Sequence, residues 1–235
     1  MPTCSPSSQS QPGENEYRDD VLIWGAAGHA KVVADILRRN AYTICGFLDE
    51  ITPDRRGESF CSATVLGDAN QLQKIYESGV RKAIVAFGDN MRRLAVGELL
   101  EERGFELTTA IHPSAVVALV ALIGSGSMVA AGAVVGPEAV IGRCAILNTA
   151  ATIDHDCTIA DGAHIGPGAH IAGHVEVGRC AWIGIGGTII DRKRIGAWSI
   201  VGAGAVVIEN VPDRVLVAGV PARVIKSVDE TRPTR

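Results

Sequence analysis

The stretch 147-LNTAATIDHDCTIADGAHIGPGAHIAGHVEVGRCAWI-183 places an aliphatic residue at Leu147, Ile153, Ile159, Ile165, Ile171, Val177 and Ile183. The register continues back to Ile111 and on to Val207, and each of its seventeen positions is Ile, Val or Leu. A period of six fits neither an α-helix nor a simple amphipathic strand. It is the period of a hexapeptide β-helix, in which each hexad forms one side of a triangular coil and stacked coils bury a continuous aliphatic column. The hexad's other positions agree. Its second residue is often small (Gly124, Gly136, Gly142, Gly166, Gly178, Gly184), because a bulky Cβ would crowd the corner. Its fifth is also small (Ala133, Ala139, Ala145, Ala163, Ala169), because it too points into the narrow prism. Three hexads close one turn, so the run amounts to between five and six coils.

Upstream the pattern is different. Val21–Trp24 reads as a buried strand that runs into Gly25-Ala-Ala-Gly28-His-Ala-Lys31 and then a helical spacing, Val32, Val33, Ile36, Leu37. A second strand, Tyr42 to Leu48, ends in Asp49-Glu50. A helix from about Asp68 to Glu77, a strand from Lys82 to Phe87 ending in Gly88-Asp-Asn90, and a helix from Met91 to Arg103 follow. Alternating strands and helices predict a small parallel, Rossmann-like α/β sheet. The loop at Gly25 opens a helix, whose N–H groups suit a phosphate, and an acid ending the second strand suits hydroxyls. The loop is G-x-x-G rather than G-x-G-x-x-G, so a tight turn without a ligand fits as well as an anion cradle.

Composition narrows the function classes. The 235 residues suffice for two modest domains. A net charge of −4 argues against nucleic acid as the main partner, and no apolar run approaches the roughly 20 residues needed to span a bilayer. Six cysteines without a CxxC spacing read as reduced thiols. The polar, Ser/Pro/Gln-rich N-terminus reads as a disordered tail. We therefore expect a tail at 1–18, the α/β domain at 19–110, the β-helix at 111–225 and a second tail at 226–235.

Chemistry concentrates on the hexad run. In Ile153-Asp-His-Asp-Cys-Thr158, His155 is the third residue of its hexad and lies outside the prism, flanked by Asp154 and Asp156. A carboxylate beside an imidazole raises its basicity and fixes its tautomer, which suits a general base; a solvated surface histidine fits the same residues. Cys157, at an inward position, is a poor nucleophile. The other histidines, His164, His170 and His174, follow at spacings of 9, 6 and 4, which do not match the ligand pattern of the γ-class carbonic anhydrases, so no metal is expected. Arg192, Lys193 and Arg194 form either a solvated corner or a contact for coenzyme phosphates.

The order of the two architectures resembles the bacterial sugar acetyltransferases of the PglD/NeuD type. So do the motifs G-A-A-G-H-A-K at 25–31, F-L-D-E at 47–50, F-G-D-N-x-x-R at 87–93, I-H-P-S-A at 111–115, N-T-x-A-x-I-D-H-D-C at 148–157 and A-G-V-P-A-R-V at 218–224. The resemblance covers about residues 20–225. It implies a left-handed coil, a cytoplasmic homotrimer without metal, and acetyl-CoA-dependent N-acetylation of the amino group, the 4-amino group in particular, of a UDP- or GDP-linked deoxy sugar for glycan biosynthesis. On this resemblance His155 is the general base and Asp156 the acid that strengthens it. That acid is usually Glu, and the shorter Asp predicts a longer or water-bridged contact. The resemblance places His164 near the acetyl-CoA thioester and Ile185 and Ala203 along the coenzyme. It assigns Ala27, Gly28, His29, Asp49, Glu50 and Gly88 to the nucleotide sugar; Trp24 stands where a smaller residue is expected. The alternatives are O-acetylation of a sialic acid and a non-catalytic hexapeptide-repeat binding protein.

Overall fold

The computed structural model describes residues 20–228; the tail expected at 1–18 and most of the second lie outside them. The chain opens with β1 (Asp20–Trp24), α1 (Gly28–Arg39) and β2 (Thr43–Leu48). The short strands β3 (Ser59–Phe60) and β4 (Ala63–Gly67), α2 (Leu72–Glu77), β5 (Lys82–Val85), α3 (Asn90–Glu102) and β6 (Glu106–Leu107) complete the first part. The sheet order is β3-β4-β2-β1-β5-β6, parallel throughout except for the β3–β4 hairpin. The hairpin is absent from the sequence expectation because its two-residue strand is too short for any period to register. The helix expected at Asp68–Glu77 divides into a 3-10 turn over Ala69–Gln71, capped by the Asp68 carboxylate accepting from Asn70 N, and α2. The chain leaves β1 to one side for β2 and returns to its other side for β5. The crevice beyond the carboxyl ends of β1 and β5 is therefore a topological switch point, where such sheets take ligands.

From Ala110–Ile111 onward the chain forms a left-handed parallel β-helix of seventeen two-residue strands, one per hexad, each ending on the aliphatic residue of the repeat. The strands stack on three faces with partners one coil apart. On the first face Leu147 pairs with Ile165, on the second Ile153 with Ile171, and on the third Ile159 with Val177. From Val129 upward the aliphatic column and the inward alanines form one buried core, which Cys157 joins; the lowest coil, with Ile111, Val117 and Ile123, is only partly buried against it. The first face ends in Val215–Ala218 with Arg223–Ser227 antiparallel to it. That last strand runs through the boundary expected at 225, and the one expected at 110/111 falls inside the first strand.

The two parts share a core. The outward residues of the lowest first-face strands, Ala110, Met128 and Ile146, are buried against the apolar side of α1 and β1. The stronger link is Arg93 on α3, which is 1% exposed. Its guanidinium donates to Cys144 O (2.8 Å), Gly162 O (2.8 Å), Phe87 O (3.2 Å) and the Asn90 side chain (3.0 Å). Asn90 in turn donates to Cys180 O and Ala181 O. One turn of helix thus reads the corner carbonyls of three successive coils. The F-G-D-N-x-x-R motif is a clamp between the parts, started by Asp89, whose carboxylate caps α3 by accepting from Arg92 N.

Candidate active site

His155 lies in the turn between Thr152–Ile153 and Thr158–Ile159, on the edge joining the second and third faces. Its Nδ1 meets Asp156 Oδ2 at 2.6 Å. The direct contact corrects the expectation of a long or bridged one: Asp156 holds a left-handed backbone (φ 56°), which swings its short side chain alongside its neighbour's ring. The ring lies over Gly173 of the next coil, where an added Cβ would sit 2.7 Å from it. The hydrogen bond to Asp156 raises the His155 pKa above its ordinary value of 6.5; partial desolvation opposes it, Asp154 and the Asp156 charge reinforce it, and Arg192 opposes it. Asp156 is lowered, chiefly by the same bond. With Nδ1 held by a carboxylate, Nε2 is the ring nitrogen left to accept a proton.

His164 is elsewhere. It points outward from the first face at the step where the cover of α1 ends, stacked on Trp182 (5.9 Å between centroids) and within 3.2 Å of the Asn148 amide. Burial, then Arg93, then His29 lower its pKa to about 3, so the ring is neutral. His29, in the first turn of α1, is lowered to about 4 by burial and Arg93, and its Nε2 is buried without a hydrogen-bond partner. Ile185 (63% exposed) and Ala203 stack one coil apart on the edge between the first and second faces, a different edge from that of His155. Within one chain the structure does not bring His155 and His164 together.

The remaining expected residues cluster at the switch point. Ala27 caps α1 with no side-chain bond, leaving its first N–H groups open. Gly28 and Gly88 both face open space, with nothing within 4 Å of an added Cβ. Gly25 is the glycine the turn requires: its φ is 131° and a Cβ would meet Ala86 O at 2.7 Å. Asp49 accepts from Ile51 N and Thr52 N and pairs with Arg55, which also reaches Ala26 O; it organises the loop after β2. Glu50 pairs with Arg92. Trp24 is a core residue, 2% exposed. His112 of the I-H-P-S-A motif takes hydrogen bonds from Ser114 and shapes the entry to the first coil.

One neighbour is not evident from the sequence pattern. His174 Nε2 lies 3.7 Å from Asp156 Oδ2, and its ring meets that of His155 edge to face at 5.2 Å. Spacing from one histidine to the next along the chain hides the pair, whereas one coil plus one residue separates them; hexad arithmetic could have found them. His155, Asp156 and His174 are also the one group among the described residues whose ligand atoms, within 4.8 Å of one another, could hold a metal ion, and all three are exposed.

Known proteins resemble the chain in sequence and in fold. Residues 20–100 match the family profile of the PglD N-terminal domain. The chain is similar to perosamine N-acetyltransferase from Caulobacter crescentus, solved as a histidine-to-asparagine mutant with CoA and GDP-perosamine. The identity is 40%, over 88% of this chain and 97% of that one, with a TM-score of 0.85. It is similar to the acetyltransferase domain of PglB from Neisseria gonorrhoeae, solved with acetyl coenzyme A, at 37% identity over 88% and 100% of the chains and a TM-score of 0.83. Among curated sequences, 48 residues are 54% identical to a 2,3,4,5-tetrahydropyridine-2,6-dicarboxylate N-acetyltransferase of Clostridium perfringens, and the match spans a fifth of that relative's length.

Proposed function

The chain belongs to the PglD-type sugar acetyltransferases, and from that premise we propose that it transfers the acetyl group of acetyl-CoA to the amino group of a nucleotide-linked amino sugar. The observation that carries the reading is the imidazole–carboxylate pair on the β-helix edge. The amine nitrogen attacks the thioester carbonyl while His155 Nε2 takes the amine proton. Asp156 holds the Nδ1–H and offsets the charge that forms on the ring. The tetrahedral adduct collapses with departure of the coenzyme A thiolate, which accepts a proton. No acyl-enzyme is needed, and burial raises the pKa of Cys157 rather than activating it.

The labour divides between the parts of the chain. The open N-terminus of α1 with Ala27, Gly28 and His29, together with Gly88 across the switch point, takes the nucleotide sugar; Asp49 and Glu50 shape the facing loop. His164, Ile185 and Ala203 take the coenzyme. The base and the coenzyme track lie on different edges of one prism, so a complete site requires a neighbouring subunit. The outward Val116, Val134, Leu122 and Val140 of the second and third faces give a trimer an apolar surface to bury. A cytoplasmic setting suits both substrates and the five free thiols among the described residues.

Thiol release from acetyl-CoA tests the reaction, with GDP- and UDP-linked 4-amino sugars, their 3-amino isomers and free sialic acid as acceptors. Turnover is expected with a nucleotide-linked 4-amino sugar and to fall about 10²–10⁴-fold in His155→Ala. Release with sialic acid alone points to O-acetylation. Near-normal turnover by His155→Ala removes the base from the mechanism. Light scattering is expected to give three times the 24.6 kDa chain mass, and an active monomer rules out the shared site.

A further inference from the structure

We propose that the cavity between β2, β4 and α2 is a binding site for a small apolar anion, a carboxylate on an aliphatic or aromatic body, taken up independently of the two substrates.

The sheet of the first part is covered unequally. α1, with 12 residues, packs along one side. On the other side α3 covers β5 and β6, which leaves β2 and β4 to α2. α2 has six residues, less than two turns and about 9 Å of helix, too short to roof both strands. Leu66 of β4 is the side chain that could fill the gap. It lies down on Gly46 of β2 instead, where an added Cβ would sit 2.5 Å from its Cγ and Cδ1. What remains is a cavity of about 380 Å³, open to solvent, with Cys45, Leu66, Ile75 and Val80 among its walls. That volume holds about a dozen non-hydrogen atoms and falls in the range of small-molecule pockets. Burial, then the Asp20 charge, push the Cys45 thiol up to about 12, so this wall stays neutral.

The rim carries two exposed cations, Arg56 and Lys74, and no carboxylate is among the described walls. Arg56 lays its stem over Gly67, where an added Cβ would sit 3.5 Å from its Cδ. Its guanidinium reaches the Gln71 amide oxygen at 3.4 Å. Lys74 follows Gln71 by three residues and so lies on the same side of the helix. Among the described residues neither cation pairs with a carboxylate. Cations without a counter-charge over an apolar hollow suit a ligand of matching build. Its body gains by leaving water, and its head meets the two charges in place. The preceding residue, Arg55, reaches Asp49 and Ala26 O at the switch point. The cavity and the crevice are therefore separate, with one loop between them.

The experiment titrates the full chain with 4-phenylbutanoate, which matches the cavity in size, and with its neutral isostere 4-phenylbutanamide. Coenzyme A, GDP and UDP are present throughout. The readout is the methyl NMR signals of Leu66, Ile75 and Val80. Saturable shifts of these methyls are expected, with a Kd of about 1 mM or tighter for a ligand of this size. The amide is expected to bind about threefold to tenfold more weakly, the worth of two exposed ion pairs. Arg56→Gln/Lys74→Gln is expected to remove that difference while leaving the amide's affinity unchanged. Thr64→Trp, which builds a strand-compatible ring into the cavity wall, is expected to abolish binding of both. If Thr64→Trp fails to fold, the double charge variant, at two exposed positions, carries the test. No saturation by about 10 mM overturns the inference. So does equal affinity for acid and amide, or binding that is unaltered in the charge variant. Shifts centred on the Ala26 methyl, or loss of the shifts when the coenzyme and nucleotides are added, would place the ligand in the substrate crevice and overturn it as well.

Discussion

An imidazole works as a base only when one nitrogen keeps its lone pair and the other is held. At His155 the hold is the 2.6 Å contact to Asp156, and replacing that carboxylate by an amide separates its two effects. Asp156→Asn keeps the size but loses the charge. Its amide also has an oxygen and a nitrogen to offer, so the tautomer that leaves Nε2 free is no longer enforced. His155 lies above 6.5 chiefly because of this bond, so its pKa in Asp156→Asn is expected to fall. The acid limb of kcat/KM then moves to lower pH while the plateau drops by roughly 10–10²-fold, as a weaker and less well oriented base requires. A limb that moves upward in that variant would show that Asp156 does not hold the His155 proton. The outward placement of His155 could be read from its hexad position. The contact length could not, because it depends on the left-handed turn of Asp156; His174, one coil and one residue further on, was open to hexad arithmetic but not to the spacing between successive histidines.

Among the elements, the strand-loop-helix at β1 and α1 separates what glycine does for the fold from what it leaves open for a ligand. Gly25 is required by its φ of 131° and by Ala86 O, so any side chain there strains the turn. Gly28 begins α1 with nothing within 4 Å of an added Cβ, so a side chain there starts into open space. Gly28→Val is therefore expected to fold and assemble as the wild type does. It should raise KM for the nucleotide sugar about tenfold or more by blocking the approach to the open α1 N-terminus, and leave KM for acetyl-CoA within about twofold. A rise in the acetyl-CoA KM instead means that the two ligands exchange places. The hexads and the β1-α1-β2 order were legible because each repeats a period or carries a punctuating glycine. The β3–β4 hairpin lacked both. The role of Asn90 and Arg93 was hidden although their motif was visible, since their partners are backbone carbonyls, which no side-chain pattern reports.

At the scale of the whole molecule, the seam between the parts collects neutral imidazoles beside a buried cation. Arg93 stays charged although burial lowers its pKa to about 10, because carbonyls of the β-helix surround it. Burial first, and then the Arg93 charge, lower His29 to about 4 and His164 to about 3. The folded chain therefore leaves both rings neutral where the unfolded chain protonates them near 6.5. The unfolded state binds more protons throughout that window, so stability rises with pH and is lost as pH falls from about 6.5 towards 4. His155 acts in the opposite direction, since its raised pKa favours the folded state once protonated, but it is exposed and contributes little. The lowered carboxylates Asp35 and Asp156 act only below their ordinary 3.8. Acidification from about pH 7 to 5 thus isolates the two seam histidines, and the loss is expected to be on the order of 2 kcal/mol after discounting for the part of each ring that solvent reaches. Urea midpoints, compared at one fixed protein concentration, measure it. The double variant His29→Gln/His164→Gln removes both titrating groups while keeping polar side chains of similar length, and its stability is expected to change little between about pH 7 and 5. Equal losses in wild type and double variant would place the acid sensitivity elsewhere than the seam.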